Sequence, residues 1–221
     1  MLIIFDVDGT LIDNEIVDWP AFDAAMESAC GIPRSESFFD ALEERTARAI
    51  VHAALASRPL EERNRLELLV EREYLSRLRT AFQSQPEAFK ATTGALELMD
   101  GLRATPGVTV AIATGDWHSP ISFKLKTAGF NTDGIPMATS SDHLSRADII
   151  SLAASRAGLP LKDAVYVGDG LWDQRACSRL GIPFIGTGAR INALRDAGTA
   201  HVLPDLSPAP FQSVLRQIFA A

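Results

Sequence analysis

Six short apolar runs, most rich in β-branched residues, alternate with helical stretches along much of this chain, and that alternation admits few architectures. The runs are Leu2–Phe5, Val108–Ala113, Ile135–Ala138, Ala164–Val167, Ile182–Ile185 and a weaker His201–Leu203. Most are continuous rather than alternating, as parallel strands are when helices cover both faces. Helical stretches lie between them: Gly94–Ala104, Ser119–Ala128, Ser145–Ala157, Leu171–Leu180, Ala189–Asp196 and Pro210–Phe219. Ala128-Gly129, Ala157-Gly158 and Leu180-Gly181-Ile182-Pro183 carry helix stop signals. The pattern predicts right-handed βαβ units and an α/β fold with an open, doubly wound parallel sheet.

Between Asn14 and Thr93 the alternation stops. That stretch holds no convincing strand and reads as helices over about Ala21–Cys30, Ser37–Ala56 and Pro59–Phe82, with Arg58-Pro59 marking one junction. A helical insert between the first and second core strands must stand apart from the sheet. The expected division is therefore a core of residues 1–13 and 94–221 and a helical subdomain of residues 14–93.

Composition narrows the functional classes. With 221 residues, 47% of them hydrophobic, the chain can bury a real core plus a smaller second unit. The formal charge is −7, and the 17 Arg and 4 Lys are scattered among carboxylates, which argues against nucleic acid or an anionic membrane as partner. Two cysteines, Cys30 and Cys177, cannot build a disulfide framework or a thiolate zinc site. No run approaches the roughly 18 apolar residues of a membrane helix, and Asp6 and Asp8 interrupt the N-terminal apolar run, so a cytoplasmic protein is expected.

Chemistry concentrates at two strand ends. In Asp6-Val7-Asp8-Gly9-Thr10 the two aspartates lie two apart, so they project together where the first strand stops. Ligands bind at that end of an open α/β sheet. Tyr166-Val167-Gly168-Asp169-Gly170-Leu171-Trp172-Asp173 repeats the arrangement, with Asp173 one helical turn beyond Asp169. Two like charges 4 Å apart repel by about 4 kcal/mol at an effective dielectric of 20. Such a convergence needs a cation, and all-oxygen ligands favour Mg²⁺.

These motifs, with Ala113-Thr114-Gly115 between them, resemble the haloacid dehalogenase-like hydrolase superfamily. The helical insert is similar to the first-position (C1-type) cap of its phosphoglycolate phosphatase-like branch. The resemblance implies a Rossmann-like core and an inserted helical cap. It also implies Asp6 as nucleophile and Asp8 as general acid and base, with Thr114 and the Gly115 amide binding the phosphoryl group. Mg²⁺ would be held by Asp6, the Asp8 carbonyl and Asp169, with Asp173 supporting the ion or its waters. The family's site cation falls on Arg146, a departure from the commoner Lys; Lys124 and Lys126, read as solvated mid-helix residues, are the alternative source. Gly115-Asp116 departs from the Asn often found after the Thr in this family.

The acidic Asp8 favours a phosphate substrate over an organic halide. Phosphonate cleavage needs a cap Lys, and Lys90, at the insert's end, is its only one. Arg45, Arg48 and His52 share one helical face. Arg45 and Arg48 are candidates for selecting a substrate anion, though a surface salt-bridge role beside Glu43 and Glu44 competes. Glu15, Asp18 and Trp19 are candidates for the entrance, and Trp172 for a wall. The expected activity is Mg²⁺-dependent hydrolysis of a small phosphate monoester by a monomer or small homo-oligomer. The alternatives are a phosphomutase of the β-phosphoglucomutase type or a non-catalytic phosphate-binding protein.

Overall fold

The computed structural model describes residues 1–220. From the N-terminus, β1 (Leu2–Phe5) and β2 (Ile12–Asp13) lead into four helices, α1 (Glu15–Cys30), α2 (Glu36–Ala41), α3 (Ala47–Ala54) and α4 (Leu60–Ser84). The chain returns through β3 (Lys90–Ala91) and continues as α5 (Ala95–Ala104), β4 (Thr109–Ala113), α6 (His118–Thr127), β5 (Met137–Ala138) and α7 (Arg146–Arg156). Then come β6 (Ala164–Gly168), α8 (Leu171–Leu180), β7 (Phe184–Gly186), α9 (Ile191–Asp196), β8 (His201–Val202) and α10 (Pro208–Ala220).

Six strands form one parallel sheet in the order β5-β4-β1-β6-β7-β8. β1 is central, with Leu2 opposite Thr109 of β4 on one side and Ala164 of β6 on the other. The chain fills one half of the sheet outward from β1, then crosses to fill the other. The carboxyl end of β1 is thus the switch point of a doubly wound sheet.

Alternation along β1 divides the core. Ile3 and Phe5 join Leu98, Ile121 and Phe211 from the helices of one face. Leu2 and Ile4 join Ile149, Ala153 and Cys177 on the other. The insert has its own core, in which Phe22, Met26, Val70 and Leu78 pack with Trp117 from the turn before α6.

The six core strands fall within two residues of their expected positions. The insert departs from expectation in three places. α1 begins at Glu15, six residues early, and runs through Pro20. Proline forfeits one intrahelical bond, but Val17, Ala21, Phe22 and Ala25 bury a common face against α4. The single helix expected over 37–56 is two, because Thr46 caps α3 by accepting the Ala49 amide at 3.2 Å and donates its hydroxyl to Leu144 O at 2.7 Å. Finally, β2 and β3 pair antiparallel, so a short ribbon joins the insert to the sheet where no strand was expected.

Candidate active site

Asp6 and Asp8 project from the carboxyl end of β1 as their spacing requires, yet they enter different surroundings. Asp6 Oδ1 lies 3.4 Å from Arg146 Nη1, and the same guanidinium nitrogen lies 3.0 Å from Asp173 Oδ1. Asp8 Oδ1 accepts Lys124 Nζ and Asn14 Nδ2, each at 2.7 Å.

The first cluster is built from strand ends. The turn after β1 needs Gly9 at φ 75°, and a Cβ there would stand 2.5 Å from Asp169 Oδ2. Asp173, in the first turn of α8, accepts the Gly170 amide at 2.9 Å and is thereby aimed back at the sheet. Arg146 opens α7 with its amide on Glu44 Oε2 at 3.1 Å, and Tyr166 braces its side chain at 3.3 Å while donating to Ala113 O at 2.9 Å. Gly115 gives that guanidinium room, since a Cβ would collide with Nη2. Thr114 is buried at the end of β4, its hydroxyl accepting the Asp116 amide at 3.3 Å.

Oxygen atoms of Asp6, Asp169 and Asp173 lie within 4.8 Å of one another. Burial pushes the Asp6 carboxyl up to about 7; the nearby Arg146 opposes this, while Asp173 and Asp8 add to it. Asp169 is raised well above the usual carboxylate range, chiefly by burial and then by Asp173 and Asp6. Asp173 Oδ1, though near Arg146, is buried without a hydrogen bond. Three crowded, buried carboxylates holding one under-satisfied oxygen fit a small hard divalent cation.

The second cluster surrounds a buried lysine, though its carboxylates are less buried than those of the first. Lys124 has no exposed surface and sits 2.7 Å from Asp8, 2.6 Å from Asp18 and 2.8 Å from Asp116. Lys124 is therefore buried, not solvated. Burial works to neutralise it, but the three carboxylates outweigh that and hold the ammonium charged. Tyr74 of α4 donates to Asp18 at 2.5 Å. Burial also raises Asp116, to about 7.

A cavity of about 80 Å³ joins the clusters. Thr114, Gly115, Arg146, Glu15, Trp19 and Arg45 border it; Arg48 does not. Arg45 precedes α3 rather than sharing its face. Arg48 and His52 instead brace Glu67 of α4, at 3.3 and 2.7 Å. The Arg45 and Arg190 guanidiniums lie 5.3 and 5.1 Å from the Trp172 ring centre, within cation–π range. Arg190 also pairs with Glu15 at 2.5 Å and with Asp169. Among these residues Tyr74, Lys124 in its buried role and Arg190 escaped the sequence reading. Arg190 follows a strand end in Thr187-Gly188-Ala189-Arg190, which was a usable signal. Tyr74, far along an insert helix, offered none.

A doubly wound parallel sheet with convergent carboxylates at its switch point defines a class of α/β enzymes. Residues 3–187 match the family model described as haloacid dehalogenase-like hydrolase, and the chain belongs to that family of hydrolases. No curated protein matches it. A hydrolase from Pseudomonas syringae is similar at 23% identity over 99% of both chains, with a TM-score of 0.74. β-Phosphoglucomutase from Clostridium difficile has the same TM-score at 14% identity, over 99% of this chain and 97% of that one. CbbY from Rhodobacter sphaeroides, solved with phosphate, gives 0.70 at 19% identity over 93% and 94%. At these identities the likeness is one of fold.

Proposed function

We propose that the protein is a Mg²⁺-dependent phosphatase of small phosphate monoesters, with residues 14–93 as a cap over the site. The observation that carries this reading is the split between the two aspartates of β1. Asp6 faces Arg146 and the carboxylates of Asp169 and Asp173, whereas the Asp8 carboxylate is turned to Lys124 and Asn14. Two carboxylates held in unlike environments are suited to unlike roles.

Asp6 attacks phosphorus and becomes an aspartyl phosphate as the ester oxygen departs with a proton from Asp8. Both contacts to Asp8 fall on Oδ1, which leaves Oδ2 for that proton. Water then attacks phosphorus and returns a proton to Asp8, releasing phosphate and the Asp6 carboxylate. Thr114, the Gly115 amide and Arg146 orient the phosphoryl oxygens, and Arg45, beside the Trp172 ring, adds positive charge to the cavity wall. Asp6, Asp169, Asp173 and the Asp8 carbonyl would hold the ion. A bound divalent cation offsets the charge of the carboxylates and of the phosphoryl oxygens. Positioning and charge stabilisation are the main demands of phosphoryl transfer. Two bonds tie the cap to the core beside the cavity, the Ala47 amide donating to Gly115 O and the Thr46 hydroxyl to Leu144 O, each at 2.7 Å; closure of the cap on substrate would limit the water that reaches the site.

The test is phosphate release from 4-nitrophenyl phosphate and about a dozen small phosphomonoesters, with Mg²⁺ or EDTA. Release should require Mg²⁺ and fall at least about a thousandfold in Asp6→Asn. Folded, metal-loaded protein that releases phosphate from none of them would overturn the reading and move a sugar-bisphosphate mutase assay forward.

A further inference from the structure

Charge is divided unevenly along the cavity. Three cations border it, and none of them pairs with Asp8, Asp18 or Asp116: Arg146 lies between Asp6 and Asp173, Arg190 on Asp169, and the Arg45 guanidinium beside the Trp172 ring. One end holds Asp8, Asp18 and Asp116 against the single ammonium of Lys124, which lies behind them without exposed surface.

Asn14 and Tyr74 at that end spend their side-chain donors on the neighbouring aspartates. Asp18 Oδ1 takes every bond made to that side chain, from Asn14, Tyr74 and Lys124. Asp18 Oδ2 has no partner among the described residues. Asn14 is fully buried and borders the cavity; its amide nitrogen is spent on Asp8 and Asp18, while its Oδ1 has no donor. Trp19, Phe22 and Tyr74 also border the cavity, three rings packed edge to face. Unpaired acceptors backed by excess negative charge and aromatic surface suit a ligand that brings donors and positive charge. A second anion on the substrate would meet three carboxylates instead.

Resting on the phosphatase reading, we infer that this end of the cavity receives the protonated amine of a small amino-alcohol phosphate. Asp18 Oδ2 and Asn14 Oδ1 accept hydrogen bonds from the ammonium, and the rings of Trp19 and Phe22 cover its methylenes. The cavity, of about 80 Å³, suits a small leaving group. Asp18 and Asn14 are thereby specificity-determining residues, distinct from the groups that act on phosphorus.

Three esters matched in size separate the charges: 2-aminoethyl phosphate, neutral 2-hydroxyethyl phosphate and anionic phosphoglycolate. We expect kcat/KM to fall in that order, by about tenfold or more at each step, as loss of one charge-assisted hydrogen bond implies. The amine preference should collapse toward unity in Asp18→Asn. Preference for phosphoglycolate, or indifference among the three, overturns the inference while leaving the phosphatase intact. Calorimetric binding of the same esters to Asp6→Asn reads the pocket even if nothing is turned over. Tighter binding of the amine there supports the inference, and equal or weaker binding refutes it. Should Asp18→Asn fail to fold, the wild-type ratios alone decide.

Discussion

Replacing Lys124 with Met keeps the volume and removes the charge. Lys124 has no exposed surface, and Asp18 and Asp116 expose 14% and 7% of their side chains, so water screens little of what is lost. Removing one partner of a buried ion pair costs about 3–5 kcal/mol. The structure can limit that cost by taking up a proton instead. Protonating an aspartate of ordinary pKa costs about 1.4 kcal/mol per pH unit above ~3.9, hence about 5–6 kcal/mol at pH 8 and about 1.5 at pH 5. Burial already raises Asp18 and Asp116 above the usual range, and losing the ammonium moves them further up. A carboxyl whose folded pKa is raised stabilises the protein below its unfolded pKa. That stability is lost as pH climbs through the folded value. Lys124→Met should therefore be destabilised by about 3–5 kcal/mol at pH 8, or roughly 6–20 °C in Tm for a chain of this size, and by only about 1–2 kcal/mol at pH 5. Thermal unfolding of both proteins in EDTA at the two pH values measures this, and the difference cancels any titration they share. A deficit below about 1 kcal/mol at pH 8, or one equal at both pH values, would refute the assignment of Lys124 as the charge that holds this cluster together.

Other consequences follow from the same geometry. Because Asp6 is raised to about 7 without an ion, it is protonated at pH 6 and must release its proton to bind metal. Mn²⁺ affinity should weaken by up to about tenfold per pH unit below 7, with proton release visible as buffer-dependent calorimetric heat; an affinity flat from pH 5.5 to 8 would contradict this. Gly9→Ala sets a Cβ against Asp169 Oδ2 at φ 75°, whereas Gly31→Ala, at φ 69°, meets no atom within 4 Å. Both should lose about 1–2 kcal/mol to backbone strain, but only Gly9→Ala should weaken Mn²⁺ binding, and equal metal affinities would show that Asp169 is not a ligand. Arg48→Ala removes a brace on Glu67 and should leave KM unchanged within about twofold, while Arg45→Ala raises it several-fold; steady-state kinetics on any turned-over ester separates them.

The sheet was legible because its signal is local. β1 and β6 are continuous apolar runs ending in Asp-x-Asp-Gly and Gly-Asp-Gly, and a parallel strand buried on both faces has little choice of position. The insert was less legible where tertiary contacts outweigh local preference. Glu43-Glu44-Arg45-Thr46 reads as helix, yet Glu44 is drawn to the Arg146 amide and Thr46 to Leu144, about 100 residues away in sequence, so the helix breaks there. β2 and β3 are two residues each, too short for any periodicity, and form only because their chain ends meet. In the site, residues adjoining a strand end could be found from sequence. Lys124 could not: a lysine on a polar helix reads as solvated until Asp18, from another helix, is brought against it.

The ribbon of β2 and β3 sets Ile12 opposite Ala91 and Asp13 opposite Lys90. The insert therefore leaves and re-enters the core through two points about 5 Å apart. Between those points the chain can lengthen, shorten or be exchanged without shifting the register of a single core strand. Asp6, Asp169 and Asp173 stand on one side of that junction, Asp18, Tyr74 and Arg45 on the other. On the proposed reading, reactivity and selectivity would be separately heritable, and a new leaving group would be accommodated by replacing one contiguous cassette of sequence.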